Sequence, residues 1–158
     1  MGSRASTAVT GLRMIWTGIG WLWHSRHAPW NANNVSANLV PHVGSWYDVR
    51  FWGINDKPFA IEIFNVRTIR PRNLPLRRAD TNSGNAKMRA DTESNILEGL
   101  PWVMPERGAS RLPFQRHIFV NLEGLRGEVR VDFELTARFL DSRRSELVAW
   151  VRTNPIIP

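Results

Sequence analysis

The stretch EVRVDFELTARFLD, residues 128–141, decides the fold class. Val129, Val131, Phe133, Leu135, Ala137 and Phe139 alternate without a break against Arg130, Asp132, Glu134, Thr136 and Arg138. A period of two sends one set to each face of an extended chain, so the segment predicts a half-buried β-strand. DSRRS, residues 141–145, then supplies a polar turn, and ELVAWVR returns with Leu147, Ala149 and Val151 on one face. Immediately upstream, RHIFVNLEG groups Ile118, Val120 and Leu122, and LRG turns into the long strand.

The same alternation extends toward the N-terminus. A first short strand is expected around Val35 to Val40. In SWYDVRFWGIN, Tyr47, Val49 and Phe51 share a face opposite Trp46, Asp48, Arg50 and Trp52. NDKP makes a turn, because Asp and Pro both suit turn positions. FAIEIFNVRTI follows with Phe59, Ile61 and Ile63 on one side and Phe64 and Val66 on the other. A bulge near Ile63 to Asn65 is needed for Val66 to reach the same core. Only DTESNILEGL, residues 91–100, has helix character, with Thr92 as the capping residue.

Strand, turn, strand, a long excursion and three closely spaced strands form the pattern of an antiparallel sandwich. Over roughly residues 35–153 that patterning resembles an immunoglobulin-like β-sandwich, without the cysteine pair of antibody domains. The resemblance implies an all-β fold and no particular activity, since such folds host many functions. The expected organisation is an N-terminal helix over residues 1–29, then a β-sandwich over 30–158 with a long basic loop at 67–95. The closing RTNPIIP reads as a tail with an exposed Ile156–Ile157 pair.

The N-terminal helix is apolar and rich in tryptophan. In LRMIWTGIGWLWHSRH, residues 12–27, Leu12, Ile15, Trp16, Ile19, Leu22 and Trp23 recur at helical spacing and build one apolar stripe. Trp21 extends the apolar surface into the side occupied by Arg13, Thr17, Gly20 and His24. From Ala8 to Trp23 an ideal helix rises roughly 24 Å, short of the roughly 30 Å hydrocarbon core of a bilayer. Arg13 lies inside that span, and no small-x-small cleavage site follows it. The run is therefore expected to anchor the domain on a membrane or on protein, and residues 12, 15, 16, 19, 21, 22 and 23 carry the anchor. The opening MGSRAS fits a myristoylation pattern and Asn34-Val35-Ser36 a glycosylation sequon. Both motifs are short enough to arise by chance.

At 158 residues the chain is long enough for one domain with a real core. Its formal charge of +7 favours anionic partners: nucleic acid, an anionic membrane surface or an acidic protein. Lys57 and Lys87 are the only lysines, so the cations are guanidinium forks suited to phosphate and carboxylate. With no cysteine, disulfides, thiolate metal sites and cysteine nucleophiles are excluded.

Catalytic motifs fail on inspection. G-x-S-x-G, G-x-x-x-x-G-K-[ST] and G-x-G-x-x-G are all absent. His24 and His27 share a helix face but lack an acidic or thiol partner nearby. Asp132 and Glu134 lie on one strand face, two strand rises apart, interleaved with Arg130 and Arg138 as in a solvated charge ladder. His117 is expected at the surface of its strand. No catalytic residue, metal or cofactor is assigned.

The one stretch with binding character is RTIRPRNLPLRRADTNSGNAKMR, residues 67–89. Arg67, Arg70, Arg72, Arg77, Arg78 and Arg89, with Lys87, are answered within it only by Asp80. It supplies cations for an anion but no aromatic for base stacking. These features predict a non-catalytic structural or accessory subunit, held by protein subunits of a larger assembly or by an anionic membrane. Its location is then at a membrane or in that assembly. The alternative is a nucleic-acid or polyanion binding module using the arginine-rich stretch.

Overall fold

The computed structural model describes residues 35–81, 85–140 and 146–158. The expected helix over 1–29, with its anchor residues and His24 and His27, lies outside the described residues, as does the turn at 141–145. The described chain is all-β, with antiparallel strands paired into two four-stranded sheets, as a sandwich requires. Its strands are β1 (Val35–Val43), β2 (Trp46–Gly53), β3 (Ile61–Arg70), β4 (Leu76–Arg78), β5 (Ile96–Met104), β6 (Phe114–Asn121), β7 (Asp132–Phe139) and β8 (Glu146–Arg152). One sheet runs β1-β2-β6-β4 and the other β5-β3-β7-β8.

The inward sets named by the alternation fill the space between the sheets. Val49, Phe51, Ile61, Ile63, Ile118, Val120, Val131, Phe133, Leu135 and Ala137 are fully buried there. Phe51 of β2 meets Phe133 of β7 edge-on, ring centroids 5.3 Å apart, and so joins the two sheets. Fully burying a side chain of this size contributes about 1.5–3 kcal/mol, which makes this layer the main source of stability. The register shifts between Ile63 and Asn65 in both pairings of β3, so the expected bulge is present and Val66 is buried.

Three expectations are corrected. DTESNILEGL is not a helix: only Ala90–Thr92 forms a short 3-10 turn, and Ile96–Met104 pairs with β3 as β5. Thr92 accepts from the backbone N–H of Arg78 and donates to the carbonyl of Arg89 instead of capping a helix. Burial of Leu97, Leu100, Trp102 and Met104 against the core outweighs local helix propensity, and Gly99 at φ 65° absorbs the bulge opposite Phe64. His117 is not at the surface; it is 1% exposed. The tail is tied down in part, because Ile156 and Val129 exchange backbone hydrogen bonds and Asn154 Oδ1 accepts from the Leu39 N–H at 2.7 Å. Ile157 alone of the pair remains fully exposed.

The stretch 67–95 is more ordered than a loop. Arg67 and Arg70 close β3, Arg77 and Arg78 lie on β4, and Ala79 bridges Met88. Strand pairing therefore sets the backbone positions of Arg67, Arg70, Arg77 and Arg78.

Candidate functional site

Register on the outer face of the β5-β3-β7-β8 sheet builds a cleft from residues distant in sequence. Glu134 of β7 stands between Arg67 of β3 and Trp150 of β8, and Asp132 between Arg70 and Arg152. Arg67 reaches Glu134 Oε1 at 2.7 Å through Nη2, while the Trp150 indole N–H donates to Oε2 of the same carboxylate at 3.1 Å. Arg152 forks onto Asp132, donating from Nε at 2.6 Å and from Nη2 at 2.9 Å. Those hydrogen bonds, together with the Arg152 and Arg70 charges, hold the Asp132 carboxyl below its ordinary range, and the same partner raises Arg152.

The resulting cleft has a volume of about 610 Å³ and is lined by Arg67, Ile69, Arg70, Arg72, Asp132, Glu134, Trp150, Val151 and Arg152. Four guanidiniums face two carboxylates, so the cleft is net positive. Arg70 and Arg72 are exposed, and neither makes a side-chain hydrogen bond or ion pair with the described residues. Trp150 is 64% exposed with its N–H already occupied, so the indole plane is held against Glu134 with much of its surface in water.

Of the six arginines singled out in the sequence, Arg67, Arg70 and Arg72 converge here. Arg78 and Arg89 line a different shallow depression together with Asp91, Glu93 and Glu98, whose acids outnumber them. Arg77 turns to the outer face of the other sheet, where its guanidinium lies 4.3 Å from the Trp46 ring and donates to Glu93 at 2.6 Å. Arg152 and Trp150 escaped the sequence reading. Their outward position is legible from alternation, but their pairing with β7 depends on a register that one strand cannot reveal. The charge ladder is real, with partners on neighbouring strands: Arg67 for Glu134, Arg152 for Asp132, and Glu62 for Arg138 at 2.6 Å.

The opposite end of the sandwich is apolar. A groove of about 270 Å³ runs beside Trp52, Ile54, Met104, Leu112 and Phe114. Trp52, Ile54 and Leu112 are 47%, 68% and 80% exposed, while Asn55 closes the loop beneath by donating to the carbonyls of Phe59 at 2.8 Å and Pro105 at 3.1 Å. Gly53 lines the groove and pairs with Val35, so the N-terminal segment joins the sandwich at this end.

One buried polar cluster has catalytic elements without a catalytic arrangement. His117 Nδ1 lies 2.9 Å from Asp48 Oδ1, and Arg50 Nε donates to Asp48 Oδ2 at 2.8 Å. The ring's other nitrogen faces Gln115, and no hydroxyl of a described residue hydrogen-bonds to it. The cluster satisfies polar groups under the outer face of its sheet, beside Phe119 and the His42 ring. Among the described residues no group of three or more His, Cys, Asp or Glu side chains could hold a metal. No helix among them is long and apolar enough to cross a membrane. Compared with known protein families and with curated proteins, the sequence matches none.

Proposed function

We propose that this chain is a non-catalytic structural or accessory subunit that docks on a larger protein assembly. The docking surface combines the N-terminal Trp-rich run with the apolar end of the sandwich. One observation carries the reading: the chain joins β1 beside the groove where Trp52, Ile54 and Leu112 stand exposed. In this reading the apolar run of residues 12–23 acts together with that exposed apolar surface, which is of the kind that marks interaction sites. Replacing Ile54 and Leu112 with serine should leave strand circular dichroism unchanged while weakening association with the assembly. Retention on anionic vesicles by the same residues would move the partner from protein to membrane.

The same proposal takes the sandwich as immunoglobulin-like. With β1, β2, β6 and β4 as strands A, B, E and D, and β5, β3, β7 and β8 as C′, C, F and G, the neighbours match that pattern. The chain visits the D position before the C′ position, which departs from it. That exchange involves only edge strands, so the central pairings are unaffected.

A second reading, polyanion binding, is favoured by the convergence of Arg67, Arg70, Arg72 and Arg152 on one cleft.

A further inference from the structure

We infer that the cleft at the end of β3, β7 and β8 takes a nucleotide unit, its phosphate on Arg70 and Arg72 and its base on the face of Trp150. The inference rests on the polyanion reading and gives it a ligand class and a site.

Two features select a phosphate ester carrying a flat ring over a bare anion. The first is the division of labour among the cations. Glu134 and Asp132 already engage Arg67 and Arg152, which leaves Arg70 and Arg72 at the mouth with no side-chain hydrogen bond to a described residue. Two guanidiniums suit one phosphate group and are too few for an extended polyanion track. The adjoining depression adds no cation beyond the same Arg67 and Arg72, and the next one, around Arg78 and Arg89, is acid-rich, so the positive surface ends there. The second feature is Trp150. Its N–H is spent on Glu134, so the part of the indole left to a ligand is apolar ring surface, which favours stacking. An acidic peptide would use the forks but leave that ring idle. A cleft of about 610 Å³ lies within the size range of small-molecule sites and has room for one such unit.

The shared chemistry, phosphate beside base, belongs to a free nucleotide and to a single strand. Titrations of the full chain with thymidine monophosphate and with a single-stranded ten-residue oligothymidine separate the two sources, read by isothermal titration calorimetry in every variant and, in the unsubstituted chain, also from the Trp150 indole N–H resonance. Inorganic polyphosphate serves as the baseless control, and loss of the resonance in Trp150→Ala assigns it.

Trp150→Ala should weaken oligothymidine or monophosphate binding by about tenfold or more and leave polyphosphate binding unchanged. Trp150→Phe should restore most of the loss. Arg70→Gln with Arg72→Gln should weaken all three probes and flatten the salt dependence, by about 1.4 in the log–log slope for a single strand that loses two phosphate contacts. If the arginine pair behaves so while Trp150→Ala changes nothing, the stacking site is wrong and the polyanion reading stands. If no probe shows salt-dependent binding that the arginine pair alters, the polyanion reading fails and the nucleotide site fails with it.

Discussion

The two ends of the sandwich are built from different strands and present opposite surfaces. At one, Met104 of β5 borders an apolar groove beside Trp52, Ile54 and Leu112. At the other, β3, β7 and β8 finish in Arg70, Asp132 and Arg152 around an exposed Trp150. Strand length separates the two, and they share no lining residue, so under the proposed reading each end can be altered without distorting the other. The fixed element is the core between them. Function in such a molecule resides in how the ends are decorated, while the inward alternation serves both.

Breaking the shared core should therefore abolish both ends at once. Phe133→Ala removes a fully buried ring packed edge-on against Phe51 and should cost about 3–5 kcal/mol by denaturant unfolding. Arg130→Ala, on an exposed side chain beside Glu128, should stay within about 0.5 kcal/mol of the parent. Equal and mild effects would mean that the inward face has been misassigned.

The apolar end is sharpened next. Its exposed residues contribute little to folding, so Ile54→Ser with Leu112→Ser should shift stability by no more than about 0.5 kcal/mol while reducing association. A large loss of stability would show that the groove is part of the core.

At the basic end the six arginines no longer count alike. Arg70→Gln with Arg72→Gln should flatten the salt dependence of anion binding, whereas Arg77→Gln should leave it unchanged, because Arg77 lies on the other sheet beside Trp46. Equal effects would point to general charge and away from a cleft.

Acidity gives the smallest effect. Asp132 is held below its ordinary value in the folded state, so its contribution is fully present above the unfolded value of about 3.9. It is lost as pH falls through the lowered folded value, and Asp132→Asn should flatten this part of the acid-stability profile. Solvent screening at the exposed Arg152 keeps the change small.

Much of this architecture is legible in the sequence alone. The run from Val129 to Phe139 has one explanation, and the bulge at Ile63 to Asn65 follows from Val66 needing the same core as Ile63. The strand at Ile96–Met104 is hidden by an aspartate, a threonine and a glutamate that mimic a helix start, and only its pairing with β3 reveals its place. The basic cleft was half legible. Its arginines stand together in sequence, but Trp150 and Arg152 arrive through strand register, a property of pairs of strands. His117 departs from expectation because facing away from the core does not mean facing water when Asp48, Arg50 and Gln115 gather around it.

The central claim is that docking and folding are separable, with docking carried by the N-terminal run and the apolar end it joins. Deleting residues 1–29 tests it most directly, with circular dichroism and fractionation of the source cells measured on the full and truncated chains. The account predicts an unchanged strand spectrum together with release of the truncated chain from its assembly, and Trp16→Ser with Trp23→Ser should reproduce that release. A truncated chain that unfolds, or one that folds and still fractionates as the full chain does, would contradict it.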